Sequence, residues 1–159
     1  MRAGVLALGA LLTKYKVAKV SLPGGCAIGT RPIDIHLNGL NKLGVDFVTE
    51  NGFVIGRVRT KLKGAMITLP FSRVGATENI MMAASLAKGR TVLTNVAMEP
   101  EIEDLAELLN AMGAQIKGAG TKEIIIDGVE SLKGTSFDIP ADRIEAGTYL
   151  VAAAVTGGD

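Results

Sequence analysis

Cys26 is the residue whose type and surroundings most suggest chemistry. It lies in the segment 22–32, which holds three glycines and two prolines in eleven residues. Such a segment cannot form regular structure, and its glycines let backbone N–H groups approach a ligand or let the loop move. Arg31 is close enough in sequence to favour the thiolate of Cys26. From the residues alone, a reactive thiol and an ordinary loop cysteine both stay open.

Arg31 and Pro32 directly precede a helix that is predicted to start near Asp34. A guanidinium beside the free N–H groups of a helix N-terminus is suited to an anion, so this junction is a candidate phosphate site. The alternative for Arg31 is a solvated surface charge. His36 is the one histidine in the sequence. A lone histidine on a helix is more typical of a structural role than of a metal site or a catalytic one.

A second polar turn with glycine stands before a predicted helix in the segment 72–77, where backbone donors could also meet an anion. Many helices begin this way, so the signal is weak. The acidic stretch 99–104 is typical of the charged first turn of a helix. Asp142, Arg143 and Glu145 fit either helix capping or a site, and capping is the favoured interpretation.

Composition excludes several classes of function. The net charge is +1, tryptophan is absent and aromatic residues are 4%, so a nucleic-acid partner is not expected. The sequence has no P-loop, no Gly-x-Ser-x-Gly motif and no cluster of metal ligands, and we expect neither metal nor cofactor. The apolar stretch 1–12 is too short to span a bilayer and is followed by lysines, which favours a buried helix over a signal peptide. A single cysteine suits a reducing compartment, so the cytoplasm is the expected location.

The elements that would position these residues belong to a repeated unit of about 70 residues. Three matches occur in the same order along the chain, which indicates a duplicated subdomain. They are 40–47 with 109–116, 62–64 with 132–134, and 82–84 with 151–153.

Each copy is predicted to contain both helices and strands. Helical spacing of apolar residues, the Asn51-Gly52 turn and glycine or proline boundaries give the assignments. We expect a helix at 34–43, strands at 45–49, 53–58 and 63–69, a helix at 77–87 capped by Gly89, a strand at 91–96, a helix opening at 99–101, and strands at Ile116, 124–126 and Phe137.

Several of these motifs together resemble the enolpyruvyl transferase family of UDP-N-acetylglucosamine 1-carboxyvinyltransferases, and they extend over nearly the whole chain. The cysteine-bearing loop is the most specific of them. The motifs are Met1-Arg2-Ala3, Leu22-Pro23-Gly24-Gly25-Cys26-Ala27-Ile28-Gly29, Arg31-Pro32-Ile33-Asp34-Ile35-His36, Leu62-Lys63-Gly64-Ala65, Val74-Gly75-Ala76-Thr77, Glu99-Pro100-Glu101 and Asp142-Arg143-Ile144-Glu145.

The resemblance implies an α/β fold, an inside-out α/β barrel built from repeated βαβαββ subdomains. It also implies a division into residues 1–140, a repeat-built domain incomplete at its N-terminus, and residues 141–159, the crossover into a second domain. The match corresponds to an internal part of the family, so the rest of the protein would be needed to complete the site and the piece alone would be inactive.

The resemblance also assigns roles to residues. Cys26 is similar to the loop cysteine that adds to phosphoenolpyruvate and donates a proton, and Arg2 and Arg31 are similar to substrate-binding arginines. A first substrate segment matches Arg31, Pro32, Ile33, Asp34 and Ile35 with His36 beside them, and a second matches Phe71, Ser72, Arg73 and Val74 with Gly75 next to them. Arg73 stands where family members usually have serine.

The activity so implied is transfer of enolpyruvyl from phosphoenolpyruvate to the 3-hydroxyl of UDP-N-acetylglucosamine (EC 2.5.1.7), the first committed step of peptidoglycan synthesis and thus of cell-wall formation, cell shape and division. Two alternatives are kept. One is a transferase of the shikimate type, which shares the fold. The other is a non-catalytic domain that binds a UDP-sugar or packs in an assembly, and it predicts an unreactive thiol.

Overall fold

A computed structural model describes residues 2–22 and 33–158 of the chain. Cys26, Arg31 and Pro32 lie outside the described residues. Among the described residues, no helix combines the length and the apolar character that crossing a bilayer requires.

The first part of the chain contains a three-stranded antiparallel sheet, with a helical segment before it and a second helix between its first and second strands. Two glycine-compatible positions, Asn51 at φ 50° and Gly52 at φ 76°, make the two-residue turn between the last two strands, as the Asn-Gly pair predicts. The elements are a 3-10 helix Arg2–Leu6, α1 Ala7–Tyr15, β1 Val17–Ser21, α2 Asp34–Lys42, β2 Val45–Glu50 and β3 Phe53–Val58. The described strands pair in the order β1-β3-β2.

The second part is a βαβαββ unit. Its elements are β4 Met66–Thr68, α3 Val74–Ala84, β5 Arg90–Thr94, α4 Pro100–Ala111, β6 Gln115–Lys117 and β7 Glu123–Asp127. The described strands pair in the order β4-β5-β7-β6, with β4 parallel to β5 and the remaining pairs antiparallel. Proline at the first turn of α4 and the two glutamates there suit a helix N-terminus.

The two sheets repeat the same arrangement, since β1-β3-β2 matches β5-β7-β6 in strand order and in antiparallel pairing. Equivalent backbone bonds recur as well. Val58 N–H donates to the carbonyl of Lys16, and Gly128 N–H donates to that of Gly89. Lys16 and Gly89 both have positive φ, 61° and 91°. The duplication predicted from sequence is thus confirmed, as is the α/β fold built from repeated subdomains.

The last helix, α5 Arg143–Thr156, differs from the others because none of its residues is buried. Its start follows the capping interpretation: the Asp142 carboxylate accepts hydrogen bonds from the N–H groups of Ile144 and Glu145. Arg143 forms an ion pair with Glu101 of α4 at 3.0 Å.

Some predicted boundaries are wrong. The strand expected at 63–69 is confined to β4, with Lys63 in an isolated bridge to Lys88. The helix expected at 77–87 is α3, which both begins and ends earlier, and its C-cap is Ser85 rather than Gly89. Phe137 lies in no strand. Residues 129–142 have no regular structure, so the second copy lacks the strand expected there.

Candidate functional site

Three segments singled out from the sequence meet at one end of the helices. They are the 3-10 helix Arg2–Leu6, the start of α2 and the start of α3. A Cβ built on Gly75 would lie 3.3 Å from Leu6 Cδ2 and 3.4 Å from His36 Cε1. Glycine at this position therefore lets the first turn of α3 approach both neighbours, and the two predicted substrate segments lie side by side.

The helices around this point run in the same direction. Further along the helices, Gly9 of α1 lies against Asn79 of α3, and Gly39 of α2 lies against Ile80 of α3. At both places an added Cβ would collide with the facing helix. Along both pairs, α1 with α3 and α2 with α3, the contacts move toward the C-terminus of the two helices together. The three helices are therefore parallel, and their N-termini lie at the same end.

Asn79 joins the three helices through its side-chain amide. Its Oδ1 accepts a hydrogen bond from Gly9 N–H at 2.7 Å, and its Nδ2 donates to the carbonyl of Val5 at 2.9 Å. The same Nδ2 lies 3.1 Å from His36 Nδ1. Asn79 is fully buried, and both polar atoms of its side-chain amide have hydrogen-bond partners.

His36 is half-buried at the junction of α2 and α3. Burial lowers its pKa below the ordinary value, and the nearby negative charge of Asp34 opposes that shift only in part. The neutral imidazole is therefore the form favoured at neutral pH. Neutral imidazole has one donor and one acceptor nitrogen, so His36 can donate a single hydrogen bond to a ligand.

The start of α2 divides its residues between core and surface. Ile33 and Ile35 are buried in the hydrophobic core, whereas Asp34 is exposed. The side chains of these two isoleucines are therefore occupied in packing. A contact between this segment and a substrate would be made by the backbone or by Asp34 and His36.

The start of α3 presents exposed side chains that flank the junction. The guanidinium of Arg73 lies over the ring of Phe71 at 4.9 Å, and Ser72 between them is exposed. The backbone of Arg73 is fixed because its carbonyl accepts from both the N–H and the hydroxyl of Thr77. Val74 is half-buried and packs against the core. This arrangement places a cation at the start of α3.

The helix starts themselves favour an anion. Ile33 and Arg73, the N-cap residues of α2 and α3, make no side-chain hydrogen bond to the first turn, unlike Asp142 at the start of α5. The first N–H groups of a helix carry partial positive charge and bind anions. The starts of α2 and α3 are adjacent, and the two helices are parallel. Their first N–H groups and the guanidinium of Arg73 therefore bring positive charge to the same region.

The remaining predicted residues are placed less completely. Arg2 belongs to the 3-10 helix, whose Val5 and Leu6 reach the junction, and its own side chain is not described. Cys26, Arg31 and Pro32 fall between the described ranges, so their positions relative to the junction are given by sequence alone. In the described ranges, no group of three or more His, Cys, Asp or Glu side chains could hold a metal ion.

Sequence reasoning missed Asn79. The residue falls among alanines, methionines and isoleucine on α3, where a core-facing position would ordinarily be apolar. An asparagine in such a helix is neutral to unfavourable unless its amide finds partners. That mismatch between residue type and predicted burial was the available signal.

Comparisons with known proteins agree with the fold and with the motifs. The family EPSP synthase (3-phosphoshikimate 1-carboxyvinyltransferase) matches residues 1–159. The crystal structure of the enolpyruvyl transferase NikO from Streptomyces tendae aligns with TM-score 0.76 over 96% of this chain and 36% of that one, at 23% identity. EPSP synthase from Acinetobacter baumannii aligns with TM-score 0.68 at 26% identity, over 96% of this chain and 35% of that one.

Curated relatives are more similar in sequence. UDP-N-acetylglucosamine 1-carboxyvinyltransferase of Gluconobacter oxydans is 58% identical over 159 residues, which is 100% of this chain and 38% of the relative. The protein of the same name from Aeromonas hydrophila is 56% identical over 158 residues, 99% of this chain and 38% of the relative. The chain therefore spans little more than a third of the length of these relatives.

Proposed function

Because the chain belongs to the EPSP synthase (3-phosphoshikimate 1-carboxyvinyltransferase) family, we propose that it is the cysteine-bearing part of an enolpyruvyl transferase whose acceptor is UDP-N-acetylglucosamine. The main support for this acceptor is the 58% identity to a relative that is named for the same sugar nucleotide. The same reaction would place the protein at the first committed step of peptidoglycan synthesis, in the cytoplasm.

Both proposed substrates carry phosphate, and the described site is suited to it. The starts of α2 and α3, together with the guanidinium of Arg73, supply donors and positive charge at one end of the parallel helices. Arg31 is three residues before Asp34, the first residue of α2, and would add a second guanidinium. Arg2 would line the sugar-nucleotide site.

The proposed role of Cys26 is general acid. Its thiol protonates the methylene carbon of phosphoenolpyruvate, which makes the adjacent carbon electrophilic for the 3-hydroxyl of the acceptor. The hydroxyl loses its proton as the new C–O bond forms. Inorganic phosphate then leaves and takes up the hydroxyl proton, while one methyl proton returns to the Cys26 thiolate, which restores both the double bond and the thiol. Donors around the phosphate stabilise the charge that develops during its departure.

The substrate segments divide in this proposal. Ile33, Asp34, Ile35 and His36, with Arg31 and Pro32 before them, would hold the uridine end, the two isoleucines through their backbone. The second segment would contact the acceptor from the start of α3. Its members are Phe71, Ser72, Arg73, Val74 and Gly75.

We propose in addition that the chain divides at residue 140, with 1–140 forming the repeat-built domain and 141–159 leading into another. The wholly unburied α5 supports this division, because a helix with no buried residue contributes little to the core of the preceding domain. The ion pair of Arg143 with Glu101 ties its start to α4.

The test uses a hybrid, defined as the Gluconobacter oxydans relative in which this chain replaces its matching segment. We expect release of inorganic phosphate from phosphoenolpyruvate that depends on UDP-N-acetylglucosamine. The unaltered relative controls for the assay, and far-UV circular dichroism controls for folding. A folded hybrid that releases phosphate only with shikimate 3-phosphate would favour the shikimate-type alternative. One that binds the sugar nucleotide without turnover would favour the binding domain.

A further inference from the structure

The orientation of the Asn79 amide is fixed by its partners. Gly9 presents an N–H and Val5 presents a carbonyl oxygen, so Oδ1 must face Gly9 and Nδ2 must face Val5. Exchanging the two ends would set donor against donor and acceptor against acceptor in a buried site. The amide therefore has one allowed orientation, and Nδ2 keeps one hydrogen for a further acceptor.

That remaining hydrogen is directed to His36, whose Nδ1 lies 3.1 Å away. A nitrogen that accepts a hydrogen bond carries no proton, so Nδ1 is bare and the proton of the neutral ring is on Nε2. The charged ring is disfavoured for the same reason, because its Nδ1–H would face an N–H of Asn79. The lowered pKa of His36, which is caused mainly by burial, also favours the neutral ring.

The other edge of the ring is aimed at the start of α3. A Cβ built on Gly75 would lie 3.4 Å from His36 Cε1 and 3.8 Å from Nε2. No residue in the ranges 2–22 and 33–158 forms a hydrogen bond with Nε2. The donor is thus presented beside the helix starts at which the substrate is proposed to bind.

We propose that Asn79 is a positioning residue that holds His36 in the single neutral form with its proton on Nε2, so that the ring donates one hydrogen bond to an acceptor oxygen of the ligand. The identity of that ligand, the sugar nucleotide, rests on the proposed function. The geometry that fixes the ring does not, since it involves α1, α2, α3 and the preceding 3-10 helix alone.

The test is long-range ¹H–¹⁵N nuclear magnetic resonance on this chain, uniformly ¹⁵N-labelled at neutral pH without ligand. Because the chain has one histidine, the imidazole signals need no assignment. We expect one neutral form, with Nε2 protonated and Nδ1 shifted as a bare acceptor. A proton on Nδ1, or the averaged signals of a solvated ring that exchanges between both forms, would overturn the proposal.

A variant separates positioning from simple packing. Asn79→Asp keeps an acceptor for Gly9 N–H but removes the N–H that faces His36, so the proton should move to Nδ1 or the ring should become charged. Asn38→Asp makes the same change at an exposed position of α2 and should leave the ring signals unchanged. Unchanged ring signals in Asn79→Asp would overturn the proposal. If that variant does not fold, the spectrum of the unaltered chain decides alone.

The positioning proposal and the proposed function can be refuted independently. The resonance measurement uses no substrate, so an unexpected protonation form of His36 would not bear on the proposed transferase activity. Conversely, absence of turnover in the hybrid would not change the protonation form measured for His36.

Discussion

Asn79→Ala is the substitution that most sharply tests how the three parallel helices are held together. It removes the acceptor of Gly9 N–H and the donor to the Val5 carbonyl, both in buried residues. It also frees Nδ1 of His36, which is only half-buried and can be solvated. The substitution should therefore lower the free energy of unfolding.

The magnitude follows from the groups left without partners. A buried backbone group that loses its partner costs about 1–3 kcal/mol, so two such groups cost about 2–6 kcal/mol. Against a total stability of about 5–15 kcal/mol for a domain, this is a large fraction. The half-buried ring of His36 adds little to this cost, because water can replace its partner.

The assay is urea unfolding of this chain at pH 7, followed by far-UV circular dichroism. Asn38→Ala is the matched control, since it removes the same side chain from an exposed position of α2 and should change stability by less than about 0.5 kcal/mol. If Asn79→Ala and Asn38→Ala had the same small effect, the account of Asn79 as the buried link between helices would be refuted.

Other predictions concern the same helices. Gly9→Ala should destabilise the chain by about 1–3 kcal/mol in urea unfolding because the new Cβ collides with α3, whereas Gly147→Ala, with no heavy atom within 4 Å, should be neutral or stabilising. Burial is the main cause of the raised pKa of Glu78, and the charge of Glu101 is the second. The contribution of Glu78 to the stability of the folded chain is therefore fully present at low pH and is lost as pH rises through the raised pKa. Glu78→Gln should then stabilise the chain at pH 7 by less than about 1 kcal/mol, since water screens a partly exposed carboxylate, and equal effects of Glu107→Gln at an exposed position would contradict this. Because the pKa of His36 is lowered on folding, stability should be full above about pH 6.5 and should fall as pH drops through the lowered value; a curve of the same slope in His36→Gln would count against it.

Much of the fold could be predicted from local signals. The Asn51-Gly52 turn fixed the hairpin of β2 and β3, because only residues that tolerate positive φ suit it. The duplicated segments predicted two similar units, and the matching strand orders confirm them. The prediction that Asp142 caps the last helix is confirmed by the hydrogen bonds that its carboxylate accepts at the start of α5.

The errors and omissions have a common physical origin in tertiary contacts. The predicted start of α3 is too late because Val74 and Gly75 are poor helix formers, yet Val74 packs against the core and Gly75 lies beside Leu6 and His36 in the first turn. The strand predicted at Phe137 rests on residue type alone, without evidence of a pairing partner. Asn79 was missed because its partners come from residues 5, 9 and 36, which no local pattern connects.

The candidate site was predictable in part. The segments around His36 and Gly75 were singled out separately, and their adjacency required the parallel packing of α2 and α3. Sequence did not predict that Ile33 and Ile35 are core residues, because alternation of apolar residues at a helix start does not show which side faces a ligand. The role of Cys26 stays a prediction.

The reactivity of Cys26 is the most direct measure of the central claim. The hybrid is treated with fosfomycin, an epoxide whose phosphonate is similar to the phosphate of phosphoenolpyruvate, in the presence of UDP-N-acetylglucosamine, and its peptides are weighed by mass spectrometry. We predict one adduct, on Cys26, and its loss in Cys26→Asp, whose carboxylic acid can still donate a proton and should therefore retain turnover. An unmodified Cys26 in the folded hybrid would contradict the account.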